Sequence, residues 1–337
     1  MDIQENVSLR HLNTFGIDAR AQYYTEIHSS AELQETLRHW KGSTPFVLGG
    51  GSNILFTGDV GRLVIRNRIK GREAVRRQAG KAWVAAGGGE NWHEFVLWCL
   101  DEGLGGIENL SLIPGTVGAA PIQNIGAYGV ELRDVFHSLE AIELSTGMEH
   151  AFGREACQFG YRDSVFKGPF RGHYCITRVV FELTTGPHQI HSSYGAIKEI
   201  LAARGITDPT IRDISEAVIA IRSSKLPNPV QIGNAGSFFK NPEIPQQQFD
   251  GLLERFPDIV HYPAGEGLVK VPAGWLIEQC GWKGQRFGDA GCYEKQALVL
   301  VNYGQASGKD ILQLAQKIVD SVDEKFGVRL MPEVNVV

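Results

Sequence analysis

Residues 46–56 read FVLGGGSNILF, in which three glycines separate two short apolar runs. The run from Pro45 to Leu48 and the run after Asn53 both have the composition of strands. Glycine has no Cβ, so this turn allows backbone N–H groups to approach an anion closely. A P-loop or a dinucleotide-binding fingerprint would need a helix after the glycines, and no GxxxxGK[ST] sequence occurs. Taken alone, the turn is equally typical of a hairpin between buried strands.

A second glycine-rich segment, IPGTVGAAPIQNIGAYG at residues 113–129, changes that balance. Small residues and hydroxyls recur through a stretch too rich in glycine for an ordinary helix or strand. Close passage of a flat or extended ligand explains this composition. The two segments together predict a cradle for a phosphorylated cofactor.

A third turn, GNAGSFFKNP at residues 233–242, places one hydroxyl just before an aromatic pair. Two glycines and an asparagine fix the backbone around Ser237, which predicts that this hydroxyl has a chemical role. A capping serine is the structural alternative. A serine hydrolase is disfavoured because no GxSxG elbow accompanies a matched histidine and aspartate.

Composition limits the class of protein. The chain has 337 residues, 43% hydrophobic and 21% charged, which is typical of a globular protein with about two or three domains. A net charge of −5 gives no basic surface for a nucleic-acid backbone, so we expect no nucleic-acid partner. The first residues lack a signal-peptide pattern, and no stretch approaches the ~20 apolar residues of a membrane span. We therefore expect a cytoplasmic protein without membrane insertion. Five scattered cysteines indicate reduced, structural thiols and no metal site.

Apolar periodicity predicts the elements that carry these turns. We expect helices at residues 31–40, 91–102, 211–222, 246–256, 273–280 and 310–326. We expect strands at residues 45–48, 63–65, 83–86, 139–144, 174–183 and 297–302, with an alternating apolar run at 330–337. The glycines at 87–89 and the segment 304–310 are predicted to be turns. The pattern favours a glycine-rich α+β or α/β half ending near residue 200, followed by a smaller C-terminal α/β domain.

These blocks carry a family resemblance. Leu48–Phe56 and Ile113–Gly129 resemble the FAD-binding half of the vanillyl-alcohol-oxidase (PCMH-type) flavoproteins. With Tyr161-Arg162-Asp163-Ser164, residues 233–242 and Pro332-Glu333-Val334, the chain resembles the UDP-N-acetylenolpyruvoylglucosamine reductase (MurB) family from Asn13 to Glu333. The resemblance implies an α+β fold, with an FAD-binding domain at residues 1–200 in two lobes, about 1–70 and 71–200. A substrate-binding domain at 201–337 would follow, its last strand, about 329–337, carrying Glu333 back to the active site.

The resemblance also implies an activity. Members of the family take hydride from NADPH onto non-covalently bound FAD and reduce UDP-N-acetylglucosamine enolpyruvate to UDP-N-acetylmuramate, a peptidoglycan precursor. The implied cofactors are FAD and NADPH. The resemblance implies no metal and no obligate protein partner. The implied cofactor-binding residues are Gly49, Gly50, Gly51, Ser52, Asn53, Ile113, Pro114, Gly115, Thr116, Gly118, Asn124, Gly126, Ala127 and Tyr128.

Three residues suit the chemistry of this reduction. Hydride transfer to the terminal carbon of an enol ether leaves carbanion character beside a carboxylate, so a site must stabilise negative charge and deliver one proton. Arg162 offers a planar fork for the carboxylate, and its alternative is a surface ion pair with Asp163 or a neighbour. Glu333, in a terminal strand, would have a raised pKa if buried and could then donate a hydrogen bond. Ser237 is the expected proton donor, assisted by Lys225 or Lys240.

Cationic, amide and phenolic side chains are expected to bind the sugar nucleotide: Tyr161, Tyr194, Arg222, Lys225, Asn241, Lys283 and Gln296. Tyr194 lies in residues 189–221, which resemble the longer subtype of the family with a loop over the substrate. Solvated positions at a helix end are the alternative for Arg222 and Lys225. Tyr262 fits either a substrate contact or an exposed loop.

Two other functions stay open. One is an FAD-dependent oxidase of sugars or alcohols with the same fold. No histidine or cysteine lies between Lys41 and Ala82 to tether a flavin, which weakens that hypothesis. The other is a non-catalytic flavin- or nucleotide-binding module, which would not need Arg162, Ser237 and Glu333 together.

Overall fold

The computed structural model of the protein describes residues 2–337, which form two compact units. The first unit comprises residues 2–7, 21–51 and 60–224, and the second comprises residues 8–20, 52–59 and 225–337. Residues 211–224 therefore belong to the first compact unit. The functional boundary near residue 200 stays a prediction.

The strands are short, and most run between eight and two residues: β1 (Gln4–Ser8), β2 (Arg20–Ile27), β3 (Phe46–Leu48), β4 (Ile54–Leu55), β5 (Val60–Asn67), β6 (Arg72–Gln78), β7 (Lys81–Gly87), β8 (Gly126–Ala127), β9 (Val130–Glu131), β10 (Phe136–Glu143), β11 (Glu149–Gly153), β12 (Tyr174–Thr184), β13 (Gly233–Ser237), β14 (Glu243–Pro245), β15 (Tyr262–Pro263), β16 (Leu268–Lys270), β17 (Arg286–Phe287), β18 (Ala290–Cys292), β19 (Val299–Asn302) and β20 (Asn335–Val336). The expected strand after Asn53 is confirmed as β4. The strand expected at residues 329–337 is wrong in extent: β20 begins two residues after Glu333, which lies outside it.

The helices are α1 (Ser30–His39), α2 (Trp92–Asp101), α3 (Leu132–Val135), α4 (Arg154–Cys157), α5 (Gly195–Ala203), α6 (Ile211–Lys225), α7 (Gln246–Arg255), α8 (Ala273–Gln279) and α9 (Gly308–Phe326), with 3-10 turns at Arg10–Leu12, Glu108–Leu110 and Val117–Gln123. All six predicted helices are confirmed, with ends within three residues of those expected. Helices α3, α4 and α5 were not predicted. The mixture of helices and sheets confirms the α+β class.

The first unit contains two larger sheets and the antiparallel pair β8-β9. One has the order β1-β2-β5-β3, with β5 parallel to both of its neighbours, and the other is antiparallel in the order β11-β10-β12-β7-β6. Helix α2 begins at Asn91, whose side chain accepts the N–H of Glu94 at 3.0 Å, as an N-cap does. Its Trp92 and Phe95 rings pack on Phe181 of β12, with centroids 5.9 and 5.1 Å away. This aromatic core fixes α2 on the antiparallel sheet.

The second unit contains the antiparallel sheet β13-β19-β18-β17, the sheet β14-β16-β15 and the parallel pair β20-β4. Its longest helix, α9, starts with a capping box in which Ser307 and Asp310 bond reciprocally. The helix ends at Gly327, whose φ of 65° provides a left-handed C-terminal cap. Apolar residues at helical spacing, such as Ile311, Leu314 and Ile318, form its buried face.

Among residues 2–337, none of the helices combines the length and apolar character that crossing a bilayer requires. All five cysteines are free thiols, and four of them are buried.

The backbone of the first unit comes closest together at Gly88, directly after β7. A Cβ at Gly88 would lie 2.2 Å from the carbonyl oxygen of Ile176 and 2.7 Å from Nδ2 of Asn67. The Gly88 N–H donates to Thr177 O at 2.6 Å, and its carbonyl accepts from Gly118 N at 2.9 Å. The prediction of a simple turn at 87–89 was therefore incomplete. Gly88 joins the sheet to the second glycine-rich segment, at a distance that only glycine permits.

We expect Gly88→Ala to lower the free energy of unfolding by about 1–3 kcal/mol, because the new methyl group must displace backbone atoms of β12. The matched control is Gly153→Ala, at the end of β11 in the same sheet, where an added Cβ meets nothing within 4 Å. Urea unfolding followed by tryptophan fluorescence measures both variants. Equal stability of the two variants would show that the close approach at Gly88 is not a packing constraint.

Candidate active site

The two glycine-rich segments lie against each other in the first unit. A Cβ at Gly49 would lie 2.7 Å from Oγ1 of Thr116, and one at Gly50 would lie 2.9 Å from Cα of Gly115. The sequence analysis explained these glycines by approach to an anion. The structure adds a second reason, since side chains at 49 and 50 would push the two segments apart.

This contact gathers backbone donors. Within residues 2–337, the N–H groups of Gly50, Gly115 and Thr116 have no protein acceptor. Gly50 is exposed, while Gly115 and Thr116 are half-buried. Grouped N–H donors at a glycine turn form a concavity suited to an anion, so these residues fit the pyrophosphate of FAD.

The second segment continues as the 3-10 turn Val117–Gln123 and ends at Asn124, which has a left-handed φ of 42°. The Asn124 side chain is buried and fully used within the protein. Its Nδ2 donates to Gly160 O at 2.9 Å and to Glu131 at 3.1 Å, and its Oδ1 accepts from Arg133 N at 3.0 Å. The side chain therefore shapes the segment, and a cofactor contact by Asn124 stays a prediction.

Arg162 faces this same segment. Its guanidinium donates to the carbonyl of Gly126 and, at 3.4 Å, to the carbonyl of Asn124. A Cβ at Gly126 would come within 2.7 Å of Nη1, so a side chain there would displace the tip of the arginine. Glu131 is a neighbouring carboxylate within ion-pairing distance of the guanidinium, at 3.9 Å, so the alternative of an ion pair with a neighbour is correct in geometry. The side chain of Asp163 accepts the N–H of Ser164 at 3.0 Å.

Arg222, from α6, is the second arginine among the predicted site residues of the first unit. Its Nε donates to Leu112 O at 3.2 Å, and it also donates to the phenol of Tyr128. Burial lowers the pKa of Arg222, Tyr128 opposes that shift, and repulsion from Arg162 adds to it. The alternative of a solvated helix end is therefore wrong for Arg222. Lys225 is the exposed last residue of α6, so for Lys225 the alternative of a solvated helix end agrees with the structure.

Tyr194 precedes α5 and is 47% exposed. Its ring meets the ring of Tyr128 edge to face, with centroids 5.2 Å apart. Helices α5 and α6 pack together in one small apolar cluster that includes Tyr128. Tyr161, the remaining tyrosine of the predicted set, stacks under Arg162 at 5.3 Å.

Asn109 is a residue that the sequence analysis missed. It is 1% exposed, and its single amide nitrogen donates both to Tyr128 O at 3.1 Å and to His191 O at 2.9 Å. It thereby ties the loop of Tyr128, whose φ is 50°, to the segment leading to Tyr194. A lone asparagine in a polar stretch gives no periodic signal, so the sequence could not reveal it.

In the second unit, Ser237 lies at the end of β13, beside a register shift against β19 between Asn234 and Ser237. Gly236 has a φ of 71°, and its N–H bonds to Oδ1 of the buried Asn234 at 3.0 Å. Phe238 and Phe239, which follow this irregularity, are buried, while Ser237 is exposed. Ser237 is thus exposed at the end of a strand, and a chemical role for its hydroxyl stays a prediction.

Glu333 is half-buried beside this turn. Its N–H donates to Phe238 O at 2.8 Å, and its carbonyl accepts from Nδ2 of Asn53 at 3.3 Å. Asn53 also accepts from Asn335 N at 3.1 Å. The chain around Glu333 thus lies between the serine turn and the segment that starts at Ser52, all within the second unit.

The other predicted side chains of the second unit are spread more widely. Oδ1 of Asn241 accepts Ala273 N at 3.0 Å and so caps α8. Oε1 of Gln296 accepts Leu298 N at 3.3 Å. Lys283 is exposed and pairs with Glu278 at 2.8 Å, and Tyr262 is 52% exposed. Their substrate contacts stay predictions.

Comparisons with known proteins show which family the chain is similar to. Residues 21–153 match the FAD binding domain family, and residues 228–337 match the family described as UDP-N-acetylenolpyruvoylglucosamine reductase, C-terminal domain. The chain is 49% identical to the UDP-N-acetylenolpyruvoylglucosamine reductase of Flavobacterium johnsoniae and 51% identical to that of Amoebophilus asiaticus, over the full length of each. It also resembles the crystal structure of the Thermus caldophilus enzyme, with a TM-score of 0.68 and 28% identity over 99% of both chains.

We expect Asn109→Leu to loosen the segment before Tyr194, because two carbonyl groups lose their donor while the volume of the side chain is kept. Hydrogen–deuterium exchange of residues 189–195 should become roughly tenfold faster or more. The antiparallel sheet β11-β10-β12-β7-β6 serves as the control in the same sample and should keep its protection. Unchanged exchange of residues 189–195 would contradict the role of Asn109.

Proposed function

The chain belongs to the UDP-N-acetylenolpyruvoylglucosamine reductase family, and on that basis we propose that it reduces UDP-N-acetylglucosamine enolpyruvate to UDP-N-acetylmuramate, a precursor of peptidoglycan, with NADPH as reductant. The observation that carries this proposal to individual residues is the position of Ser237. This residue is exposed at an irregular strand end, beside the segment that holds Glu333.

FAD is the cofactor of the family, and the first glycine segments fit it. The N–H groups of Gly50, Gly115 and Thr116 would hold its pyrophosphate, and the surrounding residues 49–53 and 113–128 of the predicted set would line the rest. When held by these residues, FAD would supply the hydride-transfer chemistry that links NADPH to the terminal carbon of the enolpyruvyl group.

The protein's own task is to manage charge and one proton. Hydride addition to the terminal carbon places negative charge on the carbon beside the carboxylate. We propose that Arg162 binds that carboxylate and that Glu333 bonds to it as its charge grows. The hydroxyl of Ser237 gives its proton to the carbon, which completes the lactyl ether. Lys225 or Lys240 would stabilise the serine oxygen after the proton leaves.

Substrate binding is proposed for the remaining predicted residues. Arg222 and Tyr194 are supported by their shared contact with Tyr128, which places a cation and a phenol around one ring. The others in this proposal are Tyr161, Lys225, Asn241, Lys283 and Gln296. Of these, Asn241 and Gln296 already bond to the backbone of their own unit, so their free amide nitrogens would make the contact.

We propose a cytoplasmic location, where NADPH and the nucleotide-linked substrate are made. The five free thiols fit a reducing compartment. The partners in this proposal are the sugar nucleotide and NADPH, and neither nucleic acid nor an obligate protein partner is required. No observation favours the oxidase alternative, and the full-length family match counts against it.

The reaction is tested with the purified protein under anaerobic conditions. We expect it to be yellow, to release intact FAD when denatured and to lose its flavin absorbance when NADPH is added. Addition of UDP-N-acetylglucosamine enolpyruvate should restore the absorbance and yield one UDP-N-acetylmuramate per flavin. Restoration by oxygen alone, with none by the enolpyruvyl substrate, would favour the oxidase. A protein that cannot be loaded with FAD would overturn the proposal.

Ser237→Ala separates the two half-reactions. Reduction of FAD by NADPH needs no proton from the serine and should stay near normal, while reoxidation by the enolpyruvyl substrate should slow by about 10²–10⁴-fold. Ser237→Cys is the matched variant, because a thiol of similar size can also donate a proton and should recover part of the rate. Stopped-flow absorbance measures both steps. Reoxidation of the alanine variant within about threefold of the wild-type rate would exclude Ser237 as the donor.

A further inference from the structure

Leu112 stands directly before the cofactor loop, residues 113–116, and has a left-handed φ of 58°. A residue with a branched side chain rarely adopts this conformation, so surrounding contacts must hold it. Because Leu112 is the entry to the loop, its conformation sets the direction in which the N–H groups of Gly115 and Thr116 point.

Both polar groups of Leu112 are held by side chains. Its N–H donates to Nδ1 of His93 at 2.9 Å, and its carbonyl accepts from Nε of Arg222 at 3.2 Å. The neighbouring residue Trp92 donates its backbone N–H to Gly115 O at 3.1 Å. The first turn of α2 therefore contacts the loop at its entry and again three residues later.

The bond to Leu112 fixes the chemical state of His93. An Nδ1 that accepts an N–H must carry no proton, so the imidazole is neutral with its hydrogen on Nε2. Protonation would make Nδ1 a donor that faces the backbone N–H of Leu112, which is also a donor. The hydrogen bond to Leu112 would then be lost. The charged groups that act on the ring are Arg222 from α6 and Glu94 from its own helix.

We propose that His93 is a positioning residue for the cofactor, whose unprotonated Nδ1 holds Leu112 in its left-handed conformation and thereby keeps the loop 113–116 in the shape that binds FAD. The inference rests on the proposed function only in taking FAD as the ligand. Its test requires neither NADPH nor the sugar nucleotide.

The electrostatic surroundings agree with this role. Burial lowers the pKa of His93 below its ordinary value of 6.5, the charge of Arg222 lowers it further, and Glu94 opposes the shift. A histidine with a lowered pKa stabilises the folded loop fully above about pH 6.5. That stabilisation is lost as the pH falls through the lowered pKa of the histidine. FAD should therefore be held less tightly in mild acid.

The experiment follows the release of FAD from the full-length holoenzyme by the rise in flavin fluorescence after dilution, at about pH 7.5 and about pH 5. His93→Leu removes the acceptor and should release FAD about 5–30-fold faster at the higher pH. The wild type should approach that rate at the lower pH. His93→Asn keeps an acceptor at nearly the same position and cannot be protonated, so it should release FAD slowly at both. His39→Asn, at an exposed histidine of α1 in the same unit, is the control and should follow the wild type.

The outcomes separate the two hypotheses. Release from His93→Leu within about twofold of wild type at the higher pH would overturn the inference while leaving the proposed function intact. If acid accelerates FAD release from His93→Asn as much as from the wild type, the inference is also overturned. This comparison tests the inference even if His93→Leu fails to fold. A wild-type chain that holds no FAD would overturn the proposed function and this inference with it.

Discussion

The first unit depends on one steric constraint, which is that its glycine segments lie closer than a Cβ permits. Gly50 meets the backbone of Gly115, and Gly88 meets both Ile176 and Gly118. A side chain at these points would separate the antiparallel sheet from the loops that cross it. The same closeness leaves the N–H groups of Gly50, Gly115 and Thr116 without protein acceptors. We propose that the packing that fixes the fold also forms the anion-binding surface.

Sequence patterns predicted the elements well and their partners poorly. Periodicity placed the six helices because each has one apolar face, and glycine content marked both segments of the cradle. Neither periodicity nor glycine content indicates what a glycine packs against. For this reason the sequence predicted only an ordinary turn at Gly88. Arg222 illustrates the same limit, since a position near a helix end does not indicate whether the side chain turns to solvent or to Leu112. Asn109 contributes two hydrogen bonds from one nitrogen, and no periodic pattern encodes such a bond.

Arg222 is a cation of the first unit whose hydrogen bonds go to neutral oxygen atoms. It donates to the carbonyl of Leu112 and to the phenol of Tyr128, and repulsion from Arg162 helps to lower its pKa. Burying a cation without a close anion costs free energy. A ligand that brings negative groups would recover part of that cost, so its binding should stabilise this unit beyond the contacts it adds. A substrate with a carboxylate and a diphosphate matches that need.

In the second unit, one irregularity decides which side chain is exposed. A regular strand would alternate its faces, so that of two successive phenylalanines one would point to solvent. Phe238 and Phe239 follow the register shift between Asn234 and Ser237, lie outside β13 and are both buried, so they do not alternate. An added Cβ at Gly236 would meet nothing within 4 Å, so its φ of 71° alone requires glycine. The buried aromatic pair anchors the chain directly after Ser237. The apolar rings of Phe238 and Phe239 are buried, and the small polar Ser237 is exposed. Since alternation fails here, counting residues from Ser237 cannot decide whether Lys240 shares its face, which is why the sequence left the assisting lysine open.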